Sequence, residues 1–386
     1  MWRDPPRIRT LESTDDERRA TWLELFFDLV FVVAVAQLSN GLGDVITFRD
    51  GLILAGLFVP VWWAWVGFTF YADRFDTDDV IHRVLMIGGM FAVAGLASAI
   101  PDVFAGASTG FVIAYAAVRS VLVLLYARAW LSVPAARPLV NVYISAFTAS
   151  IGLWLVSLAF AAPARYVVWG VALALDLGTP LLNAERIRLV PIHASHIPER
   201  LGLFTIIVFG ETVLAVVIGT DTVSWTLESG AVAALGFVVA SALWWLYFDY
   251  LDMSLIGRTI AAGQVYLYAH LPLLLGLTAF GAGVKLAIKA TEGGDVSEGA
   301  AWAVGGGIGL AMLAMALIHL VSARTGRDVD FWLRVLTVPL ALGAAALAST
   351  LGPVLLLALP AAALVAQIVF ELVSHEHGPD GMRLGL

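Results

Sequence analysis

A chain of 386 residues with 60% hydrophobic and only 13% charged side chains, against about 25% charged in a soluble domain, excludes an ordinary soluble globule and reads as an all-α, polytopic membrane protein. Cysteine is absent, which excludes disulfides, thiolate metal sites and cysteine nucleophiles. The net charge of -8 is uninformative, because orientation follows the distribution of Lys and Arg among the loops.

The elements are predicted in chain order from apolar runs of about 20 residues, the length that crosses a bilayer. A basic N-terminal segment, 1–21, carries Arg3, Arg7, Arg9, Arg18 and Arg19. The run that follows has no small-residue cleavage site and contains two acids, so it reads as an uncleaved first span. A first half, 22–182, holds six spans at 22–40, 51–71, 84–100, 109–131, 139–161 and 165–182. A linker, 183–200, leads to a second half, 201–374, with spans at 201–219, 230–251, 263–286, 299–321, 331–349 and 353–374, and then a tail, 375–386. The last two spans are separated only by a Leu-Gly-Pro break. With the N-terminus in the cytoplasm, cytoplasmic segments carry 17 of the 22 Lys and Arg residues, which fits the inner membrane and an even number of spans. The stretch VWWAWVGFTFYAD (61–73) returns as LWWLYFDYLD (243–252), each closing an even-numbered span. This predicts two parallel six-span repeats, although an interfacial aromatic belt would also place these residues twice.

Acids inside apolar runs are the main candidates for function, since a charge in hydrocarbon costs several kcal/mol unless paired, protonated or wetted. Glu24 and Asp28 stand four apart on one helix face in ELFFDLVFV (24–32). Glu24 is expected to pair with Arg18, Arg19 or Arg200. Asp28, among Phe26, Phe27 and the run 29–36, is expected to face the bundle, for function or for helix-to-helix hydrogen bonding. Glu211 lies about 15 Å into its span, and Arg119 reaches a similar depth from the other side. Depth alone favours a Glu211–Arg119 pair, with Asp176 as the rival partner because Gly178 and Pro180 threaten to end its helix early. Asp28, Arg200, Glu211 and Arg119 then define a candidate polar path for protons or cations.

Other polar residues have plainer readings. HASHIPE (193–199) contains His193, His196 and Glu199 but not the spacing of a metalloprotease helix, so Ser195 or His196 as a helix cap is expected over metal. Asp249 and Asp252 read as an acidic helix end near water. His270, after Tyr266 and Tyr268, reads as a hydrogen-bonded core residue or a proton relay. Asp73, Asp76, Asp78 and Asp79 read as a solvated acidic loop. Gly305, Gly306, Gly307 and Gly309 read as a close helix contact or as a break in the tenth span. No Walker motif, dinucleotide fingerprint or nucleophile elbow stands in a suitable context, and no basic surface suits nucleic acid. No catalytic residue, metal or cofactor is assigned.

ELFFDLVFV (24–32), HIPERLGLFTIIVFGE (196–211) and the paired Trp-Trp spans ending in Asp resemble the bacterial low temperature requirement A (LtrA) family, over most of the chain to about Ser374. The resemblance implies a polytopic inner-membrane protein named for growth in the cold, and it implies no reaction. Glu24, Phe27, Asp28, His196, Glu199, Arg200, Gly210 and Glu211 are its motif residues. The expected function is a secondary transporter or ion-conducting protein with a small ion or small molecule as cargo and the lipid bilayer as partner. The alternatives are a structural or regulatory membrane protein and, last, a membrane-embedded enzyme using His196, Glu199 or His270. The oligomeric state is left open.

Overall fold

The computed structural model describes residues 5–8, 20–187, 190, 196–249, 259–322 and 328–376. Arg3, Arg9, Arg18, Arg19, Arg188, His193, Ser195, Asp252, Arg258, Arg324, Arg327 and Arg383 lie outside the described residues. Within them the chain is all-α. The helices are α1 (Trp22–Asn40), α2 (Phe48–Arg74), α3 (Val80–Phe104), α4 (Thr109–Ser132), α5 (Arg137–Val156), α6 (Ala164–Leu182), a single turn α7 (Ala184–Ile187), α8 (His196–Asp221), α9 (Leu227–Phe248), α10 (Ile260–Ala290), α11 (Glu298–Ser322), α12 (Val329–Ala346) and α13 (Ala348–Glu376). All but α7 are long and apolar enough to cross a membrane, which gives the twelve expected spans among the described residues. The sole strand pairing described is a two-residue ladder, β1 (Arg7–Ile8) against β2 (Phe75–Asp76).

Several helices start ahead of their apolar runs, at identifiable caps. Asp79 caps α3 by accepting from the His82 N–H at 2.9 Å, a device typically worth about 1 kcal/mol. Thr21 and Glu24 form a reciprocal capping box at the start of α1. The Leu-Gly-Pro break appears inside α13 at Gly352, whose backbone (φ 71°, ψ 175°) favours glycine. Asp78, outside the spans, accepts from Arg83 Nε and Nη2 at 2.8 and 2.7 Å, which holds its carboxyl below the usual carboxylate range.

The described residues divide into two compact units, one from Met1–Gly41 and Arg49–Phe204, the other from Leu42–Phe48 and Thr205–Leu386. In the first unit α1 packs on α3, α3 on α4, α4 on α5 and α5 on α6. Helix α2 runs through its interior. Phe68 meets Phe27 of α1, Trp65 stacks on Phe204 of α8 with centroids 4.5 Å apart, and Tyr71 meets Tyr126 of α4 edge-on. In the second unit α9, α10, α11, α12 and α13 pack in succession, and α13 returns to α9. Helix α8 joins α10 there through Thr212, whose hydroxyl lies 3.2 Å from the Leu277 carbonyl oxygen.

The α10–α11 contact depends on small residues. A Cβ on Gly307 would lie 2.6 Å from the Gly276 carbonyl and 2.7 Å from the Phe280 nitrogen, and one on Gly283 would lie 2.7 Å from the Val304 nitrogen. Gly305 faces the Ala341 carbonyl of α12 in the same way. The glycine run therefore permits close approach, as small-residue interfaces do in membranes, and α11 is continuous through it. Gly306, in contrast, has open space where a Cβ would go. Gly307→Val is expected to destabilise the protein by about 1–3 kcal/mol through overpacking, whereas Gly306→Ala is expected to be neutral or slightly stabilising; unfolding in detergent compares the two directly.

Candidate functional site

The largest buried ionic cluster lies in the first unit, where the start of α1, the end of α2 and the start of α8 meet. Helical spacing turns Trp22, Phe26, Leu29 and Val33 outward, while Glu24, Phe27, Asp28 and Phe31 turn into the protein. Glu24 Oε2 accepts from the Thr21 N–H at 2.7 Å and from its hydroxyl at 2.9 Å. Glu24 Oε1 is left to face Arg200 Nη1 at 3.5 Å and His196 Nε2 at 3.6 Å. Four residues on, Asp28 Oδ1 accepts from Arg200 Nη2 at 2.6 Å and from Trp65 Nε1 at 2.7 Å. Asp28 Oδ2 and Arg200 Nε are fully buried without a hydrogen-bond partner. Phe27 packs between Phe31 and Phe68. Glu199, half-buried, accepts from the Ala20 N–H at 3.2 Å and so draws the chain ahead of α1 to α8.

His196 completes the cluster. It is the first residue of α8 and fully buried, with Nδ1 2.9 Å from Asp73 Oδ1 and Nε2 toward Glu24. Asp73 is within hydrogen-bond distance of the ring, while Glu24 lies nearby at 3.6 Å, beyond that distance. Three carboxylates, Arg200 and a titratable imidazole thus share one water-poor site. Asp73 corrects the reading of 73–79 as a solvated loop: Asp73 and Asp79 are each 1% exposed. Asp79 receives both terminal nitrogens of Arg128, at 2.9 and 2.5 Å.

The second site is at mid-span. Arg119, near the middle of α4, pairs with Asp176 of α6 at 2.6 Å, both side chains fully buried. Asp176 Oδ2 also accepts from Ser150 at 2.8 Å and Tyr115 at 3.4 Å. The expected Glu211–Arg119 pair is corrected: Asp176 is the partner, because α6 continues through Gly178 and Pro180 to Leu182 and presents it inward. Depth could not distinguish two acids on different helices. The polar path expected through Asp28, Arg200, Glu211 and Arg119 resolves into two clusters in the first unit, with Glu211 in the other. Glu211 is half-buried on α8, within reach of the charge of Lys285, and the neighbouring Gly210 is exposed.

In the second unit His270 donates from Nδ1 to the Tyr266 carbonyl at 2.7 Å, which leaves Nε2 to accept from Tyr247 at 2.7 Å. This is the hydrogen-bonded core histidine anticipated as one of two readings. Asp249 caps the end of α9 and is exposed. Arg334 of α12 meets Glu371 of α13 at 3.3 Å, both fully buried, with Gln367 donating to Glu371 at 2.8 Å. Among the described residues, no three His, Asp or Glu side chains converge as metal ligands would.

Sequence reasoning passed over Asp73, Trp65, Arg334 and Glu371. Trp65 lay inside the WWAW…YAD stretch that served as a repeat marker, and Asp73, at the end of that stretch, was also read as part of a solvated loop. The two copies of the stretch have different surroundings: Trp62, Trp63 and Trp65 are buried, while Trp244 and Trp245 are each 38% exposed.

Twelve apolar helices stitched by buried ion pairs define a multi-pass membrane protein. The chain matches the bacterial low temperature requirement A protein (LtrA) family over residues 19–369 and belongs to that family. It is also 32% identical over 298 residues to the uncharacterized protein RA0937 of Rhizobium meliloti (strain 1021), a match that covers 72% of each chain.

The Arg119–Asp176 pair gives a direct test of its energetics. Arg119→Gln alone leaves a buried carboxylate unpaired and is expected to cost about 3–5 kcal/mol. Adding Asp176→Asn is expected to recover much of that loss, and unfolding of both variants in detergent measures the difference.

Proposed function

We propose that the protein is a secondary transporter or ion-conducting protein of the bacterial cytoplasmic membrane. In this reading its N-terminus is cytoplasmic, and the Glu24, Asp28, Asp73, His196 and Arg200 cluster handles protons at the cytoplasmic end. The observation that carries the reading is His196, with a carboxylate at each ring nitrogen. Arg200 stands between the two acids of α1, 2.6 Å from Asp28 Oδ1 and 3.5 Å from Glu24 Oε1, so either can take it. Buried ionisable groups facing a helix bundle mark ion and proton pathways more often than lipid-facing surfaces. The six-span halves 22–182 and 201–374, related as parallel repeats, belong to the same reading, as transporter folds built from such repeats exist. The cargo is a small ion or small molecule.

A second reading, a structural or regulatory membrane protein whose charges only hold the bundle, is favoured by Arg119–Asp176 and Arg334–Glu371. Each of these pairs one acid with one base and needs no additional proton.

Flux assays in liposomes under imposed pH and voltage gradients decide between them. Proton-dependent flux is expected in the wild type and is expected to fall at least about tenfold in His196→Asn and in Asp28→Asn, with both variants still folded. Well-folded wild type that moves no protons, sodium or potassium favours the second reading.

A further inference from the structure

The mid-span pair is surrounded by an unbalanced set of hydrogen-bonding groups. Asp176 is fully engaged, Oδ1 by Arg119 Nη2 and Oδ2 by Ser150 and Tyr115. Arg119 is not: its Nε and Nη1 have no hydrogen-bond partner, although the side chain is fully buried. One turn from Ser150 on α5, Trp154 is also fully buried, and its indole N–H is unpaired. The Trp154 ring lies 4.7 Å from that of Tyr115. The unpaired polar atoms of these residues are thus donors only.

A buried donor without an acceptor costs about 1–3 kcal/mol, and the two unpaired N–H groups of the Arg119 guanidinium call for an acceptor. Water answers this poorly, because it brings hydrogens of its own and settles where 2–4 polar partners of both kinds surround it. An acceptor-only ligand is the better complement. The guanidinium stands over the Phe147 ring at 4.0 Å, which holds it in place without occupying its N–H groups. Beside Nη1 the α2 residue is Gly67, where a Cβ would lie 3.4 Å from that nitrogen and 2.5 Å from Leu122 Cδ2, so an anion there takes its place by a shift of the Leu122 side chain.

We propose that Arg119 anchors a binding site for a small monovalent anion, a halide or short carboxylate, between α4, α5 and α6. The anion takes the N–H groups that Asp176 leaves open. This site lies apart from the His196 cluster and does not depend on proton transport.

Equilibrium binding of radiolabelled chloride to the purified full chain tests it, with gluconate keeping ionic strength constant and acetate as competitor. Saturable binding of about one chloride per chain is expected. Displacement by acetate marks the site as one that accepts carboxylates, and resistance to acetate restricts it to halides. Arg119→Gln with Asp176→Asn, which removes both charges, is expected to weaken binding at least about tenfold. Arg83→Gln with Asp78→Asn, which alters an exposed pair away from the spans, is expected to leave it unchanged. Should the first variant fail to fold, Arg119→Lys keeps the charge facing Asp176 but removes the forked N–H groups, and it too is expected to weaken binding. Wild type without saturable chloride binding overturns the proposal, as does binding that survives Arg119→Gln with Asp176→Asn. Chloride binding without proton flux would leave this site standing and remove the transport reading; flux without chloride binding would do the reverse.

Discussion

A charge buried away from water must find its counter-charge on another helix, because its own helix has already used the backbone groups that could have solvated it. This requirement organises the first unit. Asp28 of α1 is answered by Arg200 of α8 and Trp65 of α2, Arg119 of α4 by Asp176 of α6, and Asp73 at the end of α2 by His196 at the start of α8. Each polar contact therefore joins helices distant in sequence, and α2 is interior because it supplies partners to so many of them. Replacing such a pair with well-packed apolar residues often costs little, while removing one member costs a great deal. The pairs accordingly fix which helices lie together more than they add to total stability.

The second unit is held differently. Its most buried helices, α10 and α11, meet through glycines that let backbone approach backbone. Without a hydrophobic drive between helices in lipid, such close packing and dispersion contacts carry association. Its polar contacts include His270, whose Nε2 lies 2.7 Å from the Tyr247 hydroxyl, and the Arg334–Glu371 pair. One unit concentrates titratable groups and the other is mostly close-packed apolar surface, which is why the functional reading centres on the first.

Much of this was legible in the chain. Apolar length and the ELFFD and HIPER boxes gave the spans, the family resemblance and the inward face of Asp28, and Arg200 was one of three bases named as partners for Glu24. Of the two readings of the glycine run, a close contact or a break, the structure has the close contact, through Gly305 and Gly307. What remained hidden was partnership across distance. Arg119 had two acids at suitable depth, and only the continuation of α6 past Pro180 decides for Asp176. Asp73 looked solvated because it sits in a stretch of aspartates, but it closes a long apolar helix and faces His196, whereas Asp78 a few residues later is exposed. Arg334 looked like one more positive charge at a helix end, and nothing in its neighbourhood pointed to Glu371 thirty-seven residues later.

The sequence distance between Asp28 and Arg200 also has a temporal meaning. They are 172 residues apart, so at about 5–20 residues per second a ribosome finishes Asp28 roughly 9–34 s before Arg200 exists. Trp65, 37 residues on, arrives much sooner and can offer only an indole N–H. During that interval the first span holds two carboxylates without their cation, and it reaches its final place only after the seventh span has been made. The order of synthesis thus obliges the first helix to enter the bilayer provisionally, whereas Arg119 waits only 57 residues for Asp176.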